Sequence, residues 1–408
     1  MSLAHILLTG IVTVFAAQVL IVLWLMFLHA LRQRRIPEKG FPAQILPPVR
    51  VQDTEITLYP QGTTLFDAML TAIQQAKETI FLETYIWKDD VLGQKFKAVL
   101  IERAQAGVKV YVIFDRFANL VVPRKFKRFP VDLPGLKVFI YSSLTRPWHF
   151  LRWRNYGLDH RKLLVVDGQI GFVGGYNIGE TYRAQWRDTH LRFVGPATRD
   201  LGYAFADLWN LDRNPHPPMH MPARPWSPTI RIHRNDPLRT SYPIRNIYLE
   251  AIEHAQTHIA ITNAYFVPDP AIRQGLIRAA QRGVNVEILI PWASNHVFVH
   301  WLARHFFAQY LAAGIKLYGY EGAMIHAKSA TIDGVWSTIG TANLDRLSLT
   351  GNFEINVEIF DAQVAQQMER IFAVDLLNAR TIDQEQWQRR SWFSRAAEWI
   401  LSPLWLWG

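Results

Sequence analysis

His160-Arg161-Lys162-Leu163-Leu164-Val165-Val166-Asp167 runs on to Gly174-Gly175-Tyr176-Asn177, and the spacing returns in His326-Ala327-Lys328-Ser329-Ala330-Thr331-Ile332-Asp333, running on to Gly340-Thr341-Ala342-Asn343. Both copies read H-x-K-x4-D-x6-G-x-x-N without a gap. At roughly 5% usage per residue type, five fixed matches have odds of about 10⁻⁷ at any one start, so two copies in one chain are no accident. In each copy a strand sets His and Lys two residues apart, so both side chains leave from one face. The apolar run up to the Asp is the buried continuation of that strand. Histidine, lysine and asparagine without a carboxylate cluster for a metal suit a phosphate held by cationic donors.

Around the motifs the chain alternates helix and strand. Leu65, Met69, Ile73 and Ala76 fall at helical spacing before a strand-like run from Ile80 to Trp87. A second helix, about Leu92 to Ala106, stops at Gly107, and Val108 to Phe114 reads as a buried strand ending at Asp115. The order repeats as a helix over Ile244 to Ala255, a strand over Ile259 to Val267, a helix over Ala271 to Arg282 stopped by Gly283, and a strand over Val284 to Ile290. The whole unit is therefore duplicated. The expected fold is α/β, with two lobes related by a pseudo-twofold, each a mixed, mostly parallel sheet flanked by helices. Their expected limits are 57–208 and 241–383, joined by a Pro-rich linker over 209–240. His216 and His220 in that linker read as plain loop histidines, with no acidic or sulfur partner nearby.

A carboxylate recurs as well. Asp188 follows His160, and Glu354 follows His326, at the same distance. Each suits the second nitrogen of an imidazole, fixing its tautomer and raising its basicity.

The ends point to a membrane. Ser2 to Leu31 contains no Asp, Glu, Lys or Arg, and Ile6 to Leu28 would span about 35 Å as a helix. Arg32, Arg34, Arg35 and Lys39 follow at once, so the positive-inside rule places the rest in the cytoplasm behind an uncleaved single-pass anchor, residues 1–35. Residues 36–56, with Pro37, Pro42, Pro47 and Pro48, read as a tether. Residues 384–408 carry Trp392, Phe393, Trp399, Trp405 and Trp407 among Arg389, Arg390 and Arg395, and are expected to lie in the membrane interface. Two basic clusters, Arg124-Lys125-Lys127-Arg128 and Arg146-Trp148-His149-Arg152-Trp153-Arg154, suit phosphate headgroups. The net charge of +10 favours an anionic partner, and the 15 Trp and 23 Phe tilt that choice to an anionic membrane surface over nucleic acid. With no cysteine, a disulfide framework, a thiol nucleophile and a thiolate zinc site are excluded. No metal or other cofactor is expected.

The paired motifs, with Leu82-Glu83-Thr84-Tyr85-Ile86-Trp87, Asn343-Leu344-Asp345-Arg346 and Asn352-Phe353-Glu354, resemble the phospholipase D superfamily. Within it the chain looks most like the bacterial cardiolipin synthases of the phospholipase D type. The resemblance implies a phosphatidyltransferase of the bacterial inner membrane that uses phospholipid substrates and a phosphohistidine. It implies His160 as nucleophile and His326 as acid and base, with Lys162, Lys328, Asn177 and Asn343 binding phosphoryl oxygens. Asp167 and Asp333 complete the motifs and are expected to hold the site together. Transfer onto phosphatidylglycerol, giving cardiolipin, is the leading expectation. Hydrolysis by water, transfer to serine as in a phosphatidylserine synthase, and a membrane-anchored phosphodiesterase or nuclease are the alternatives.

Overall fold

The computed structural model describes residues 40–143, 157–222 and 227–401, with Ser2, His5, Thr13, Gln18, Leu20, Trp24 and Phe27 as isolated positions before them. The expected anchor lies almost wholly outside the described residues, as do the second basic cluster, Trp405 and Trp407. Among the described residues, no helix is long and apolar enough to cross a membrane.

The first lobe runs β1 (Val49–Val51), β2 (Thr54–Gln61), α1 (Gly62–Gln74), β3 (Thr79–Thr84), α2 (Val91–Gln105), β4 (Lys109–Asp115) and β5 (Leu136–Tyr141). The motif strand β6 (Leu163–Val166) follows, then β7 (Ile170–Gly174), α3 (Glu180–Ala184), β8 (Trp186–Val194) and α4 (Thr198–Trp209). The second lobe begins with β9 (Ile230–Asn235), α5 (Pro243–His254), β10 (His258–Asn263), α6 (Pro270–Gln281), β11 (Asn285–Pro291), α7 (Val297–Ala312) and β12 (Lys316–Tyr320). It continues through β13 (Met324–Ile325), the motif strand β14 (Lys328–Ile332), β15 (Trp336–Gly340), α8 (Arg346–Thr350), β16 (Glu354–Phe360), α9 (Ala362–Leu376) and β17 (Ala379–Thr381). Helices α10 (Gln384–Gln388) and α11 (Trp392–Leu401) close the described chain.

Among the described residues the strands form two sheets, ordered β1-β2-β8-β7-β6-β3-β4-β5 and β17-β12-β11-β10-β14-β15-β16-β9. Only β3-β4-β5 and β10-β11-β12 run parallel within these orders. The sheets are thus mixed but mostly antiparallel, which corrects the expectation of mostly parallel ones. The cause sits in the motif itself. Asp167-Gly168 and Asp333-Gly334 all have positive φ, between 51° and 64°. An Asp-Gly pair of that conformation makes the tight turn of a three-residue loop, 167–169 between the paired Val166 and Ile170 and 333–335 between Ile332 and Trp336, so each motif strand folds straight back on its neighbour.

Two boundaries also move. Strand β1 and the start of β2 fall inside the expected tether, where buried Val49, Val51 and Ile56 alternate with exposed Arg50 and Glu55. Strand β9 falls inside the expected linker and pairs with β16, because the prolines end at Pro228 and Ile230 to Asn235 are free to join a ladder until Pro237. The earlier part of the linker packs on the first lobe. Trp209 Nε1 donates to the Pro217 carbonyl at 3.1 Å, and the His216 ring stacks on Trp209 at 5.4 Å.

The lobes share one core. Phe81, Leu163, Leu191 and Phe193 of the first sheet and Ile339, Ile355, Val357 and Ile359 of the second are buried together, sealed by Leu201 and Phe205 of α4 and Met368 and Ile371 of α9. Strand β13 crosses over to pair in parallel with β8 of the first sheet. Arg187 on β8 meets Asp375 on α9 in a bidentate pair, Nε to Oδ1 at 2.9 Å and Nη2 to Oδ2 at 2.6 Å, with both residues buried.

The C-terminal helices α10 and α11 dock on α7, so the interfacial position expected of residues 384–408 concerns the face these helices leave exposed. Trp387 is buried against Phe307, and buried Glu398 pairs with Arg304 at 3.0 Å and Arg390 at 2.9 Å. The amphipathic α11 turns Ala397, Glu398 and Leu401 inward, leaving Trp392 at 78% and Trp399 at 73% exposure. Gln18 Nε2 donates to the Ile400 carbonyl at 3.1 Å, so one N-terminal residue touches this helix.

The buried Arg187–Asp375 pair gives a stability test. Arg187→Leu leaves Asp375 as an unpaired buried carboxylate and is expected to cost about 3–5 kcal/mol, whereas Arg187→Leu/Asp375→Leu recovers most of the loss. Urea denaturation of the three proteins measures this. A double variant no more stable than the single one would show that the stranded charge is not the cause.

Candidate functional site

Each motif histidine sits at the N-terminal end of its strand and is held by the opposite lobe. His160 N–H donates to the Phe353 carbonyl at 3.1 Å, and His326 N–H donates to the Arg187 carbonyl at 2.6 Å. The side chains cross over as well. His160 Nδ1 lies 2.9 Å from Glu354 Oε1, and His326 Nδ1 lies 2.7 Å from Asp188 Oδ2. The expected carboxylates therefore do meet the imidazoles, but in exchanged order, because β8 and β16 both run through the shared core between the lobes. With Nδ1 engaged, Nε2 is the nitrogen left for a substrate.

The carboxylates are seated differently. A Cβ at Gly175 would lie 2.3 Å from Asp188 Oδ1, so only glycine lets that carboxylate stand where it does. The second lobe has Thr341 at the equivalent position, and its Oγ1 donates to Glu354 at 2.5 Å. Asp188 accepts instead from the Thr189 N–H at 2.7 Å.

Lys162 and Lys328 are both buried, and each Nζ donates to the carbonyl of its own motif histidine. Aromatic rings wall the histidines. Tyr85 lies edge-on to His160 at 4.7 Å, and Trp186 and Tyr265 lie 5.1 and 6.0 Å from His326. Asn177 Oδ1 accepts the Ile86 N–H at 3.1 Å, and buried Asn343 places Nδ2 3.5 Å from Ser348 Oγ. Asp167 and Asp333 are at the far ends of the motif strands. Asp167 accepts the N–H groups of Lys77, Glu78 and Thr79, and Asp333 those of Gln256, Thr257 and His258, tying each hairpin to the start of β3 or β10. The motif residues thus include two lysines that bond back to their own histidines and two aspartates that fasten the strands.

Burial drives the two imidazoles, their carboxylate partners and the two lysines toward neutrality. It lifts Glu354 to about 8 and Asp188 to about 6. It also lowers Lys162 to about 7 and Lys328 to about 8. Both imidazoles are held well below their ordinary value, by burial first and by the two lysines next. A bound phosphodiester brings the negative charge that two such lysines lack.

One cluster went unread in the sequence. Arg161 Nε lies 2.6 Å from Glu83 Oε1 and 3.7 Å from Asp159 Oδ1, and the Asp159 N–H donates to Asp115 Oδ2 at 3.0 Å. All four are buried immediately beside His160, and burial pushes Asp115 up to about 7. The corresponding positions of the second lobe hold Thr262, Pro291, Ile325 and Ala327, none of them charged. The available signal was Glu83, one acidic residue inside an otherwise buried strand.

The comparisons with known proteins agree with this geometry. Residues 69–198 and 248–376 each match the family model described as cardiolipin synthase, phospholipase D-like domain. The chain is 33% identical over 374 residues to the major cardiolipin synthase ClsA of Bacillus subtilis (strain 168), covering 87% of this chain and 76% of that one. It is 33% identical over 341 residues to cardiolipin synthase A of Pseudomonas putida (strain W619), covering 82% and 71%. Its fold is similar to the crystal structure of phosphatidylserine synthase from Haemophilus influenzae Rd KW20, with a TM-score of 0.67 at 13% identity, covering 88% of this chain and 93% of that one. Two motif-bearing lobes that complete each other's histidines, matched twice over by one family model, place this chain in the cardiolipin synthase family of the phospholipase D superfamily.

Proposed function

We propose that the protein is a phosphatidyltransferase making cardiolipin from phosphatidylglycerol and a second phospholipid. The observation that carries the reading is the reciprocal pair of buried His–carboxylate contacts with a lysine beside each imidazole. Such a cleft has two groups that exchange protons or attack, and two cations for the oxygens of one phosphodiester.

In the first step His160 Nε2 attacks the phosphorus of the donor lipid. The bond from phosphorus to the headgroup oxygen breaks, and His326 gives that oxygen its proton. In the second step His326 takes the proton from a glycerol hydroxyl of the acceptor, whose oxygen attacks the phosphohistidine. The phosphorus–nitrogen bond breaks, and His160 is regenerated. Glu354 and Asp188 orient the two rings and stabilise the imidazolium that each forms in turn. Lys162, Lys328, Asn177 and Asn343 hold the phosphoryl oxygens as charge develops on them. The unequal surroundings support giving the covalent role to His160, since only that histidine is flanked by the Glu83–Asp159–Arg161 cluster. The uncharged apolar sequence from Ser2 to Leu31, the outward Trp392 and Trp399 and the net positive charge support a catalytic domain held at the anionic cytoplasmic face of the cell membrane.

Expression in a host lacking its own cardiolipin synthases, followed by lipid extraction, is expected to yield cardiolipin. Phosphatidic acid or phosphatidylserine as the only new lipid would instead assign hydrolysis or transfer to serine. His160→Ala is expected to abolish the phosphoenzyme with every donor, and His326→Ala to form it only from a donor with a good leaving group. Each should lower turnover by about 10³-fold or more. A phosphoenzyme trapped on the His160→Ala protein would reverse the assignment. Glu354→Gln tests the raised carboxylate. Folding lifts Glu354 from 4.5 to about 8, so ionising it costs the native state free energy that the unfolded chain does not lose. That cost develops as pH rises between those values. Glu354→Gln is therefore expected to gain stability over the parent at pH 9, to show a smaller gain at pH 6, and to lose turnover at both. Denaturation curves at the two pH values decide it, and a gain that grows toward low pH would refute the assigned shift.

A further inference from the structure

The second lobe carries a cationic cavity that its counterpart in the first lobe lacks. The cavity, about 600 Å³ and open to solvent, lies between the start of α5, the start of α6 and α8. Arg245, Asp269, Arg346 and Thr350 line it. Arg245 approaches Asp269 through Nε at 2.5 Å and Nη2 at 3.2 Å, and Asp269 also caps α6 by accepting the Ala271 and Ile272 N–H groups. Two guanidiniums face one carboxylate, so the lining carries one net positive charge.

Its walls are continuous with the candidate site. The segment leading into α6 begins at Tyr265, whose ring is 6.0 Å from that of His326, and the Val267 N–H donates to the Leu344 carbonyl at 2.9 Å. Arg346 follows Asn343 by three residues. The turn between them is fixed by Asp345 Oδ1, which accepts the Ser348 N–H at 2.7 Å. Asn235 Nδ2 fastens the Ser348 carbonyl from below at 3.0 Å.

In the first lobe the same place is closed. Asp90, which caps α2 as Asp269 caps α6, accepts the Glu180 N–H at 2.8 Å. A Cβ on Gly179 would lie 2.8 Å from the Lys88 side chain. Glu180 stands at the position of Arg346, at the same interval after its motif, and Gly62, Thr63 and Thr64 at the start of α1 carry no charge. One lobe thus has an open cavity with two arginines in its wall, where the other is packed by the Lys88 side chain and the Asp90–Glu180 contact.

We propose that this cavity holds the phosphodiester of the acceptor lipid, and so selects an acceptor that already carries a phosphate. The inference rests on the phosphatidyltransfer reading above. In that reaction the acceptor hydroxyl displaces the enzyme nitrogen from phosphorus and its proton passes to His326, while the acceptor's own phosphodiester stays intact. Lys162 and Lys328 are then engaged by the transferring phosphoryl group. The product carries two phosphates at the ends of one glycerol bridge, so a second cationic subsite in the lobe that carries His326 is what this geometry supplies.

Parallel transfer assays on the full chain test this, with phosphatidylglycerol and ethanol as competing acceptors, since ethanol has a hydroxyl and no phosphate. Arg346→Gln is expected to lower kcat/KM for cardiolipin formation about tenfold, mainly through KM, while phosphatidylethanol formation stays within about twofold, the loss of one charge-assisted contact. Arg346→Gln/Arg245→Gln is expected to lose more in the same product only. Because Arg245 also holds the residue that caps α6, the single Arg346→Gln protein is the deciding variant. An equal fall in both products, or no fall in either, overturns the acceptor subsite. A parent enzyme that makes phosphatidylethanol but no cardiolipin overturns the reading that the acceptor is a phospholipid, and the subsite along with it, and the parent control separates that result from failure of the subsite alone.

Discussion

Everything at the centre of this molecule depends on two hydrogen bonds that cross between its lobes, His160 to Glu354 and His326 to Asp188. Each lobe supplies one histidine and the carboxylate for the other. Neither lobe by itself holds an oriented imidazole. The crossing requires β8 and β16 both to enter a shared core, and that core in turn requires the apolar faces of both sheets. Stability and chemistry therefore rest on the same contact surface. The Arg187–Asp375 pair and the β8–β13 pairing fasten that surface where His326 leaves it.

Burial is what makes the crossing chemically useful and also what makes it costly. Two lysines, two imidazoles and two carboxylates buried together are all pressed toward their neutral forms. A phosphodiester restores the balance by bringing negative charge to the lysines. A cleft of this kind is poised for an anion, and part of the stability of the fold is given up to keep it so.

The pseudo-twofold is broken in ways that matter more than its symmetry. Gly175 with Asp188 faces Thr341 with Glu354. The charged cluster around Arg161 has no counterpart around Ala327, and the arginine-lined cavity of the second lobe is closed in the first. A duplicated unit gives two equal histidines, whereas a two-step transfer needs unequal ones. The departures from symmetry are where that inequality is built.

Much of this was legible in the residues. Motif spacing identified the histidines, lysines and asparagines, and helical periodicity with Gly107 and Gly283 placed the elements on either side, because these signals are local. The Asp167-Gly168 and Asp333-Gly334 pairs were equally local and directly announced hairpins, yet a βα alternation read across the whole chain masked them and led to mostly parallel sheets. The alternation in β1 and β9 was hidden by neighbouring prolines in the same way. Sequence by itself determined that there were two phosphate-type motifs, two lobes and a carboxylate for each histidine. Only the tertiary structure decided which carboxylate serves which histidine, since partners 194 and 138 residues apart are chosen by how two sheets face each other and not by spacing along the chain.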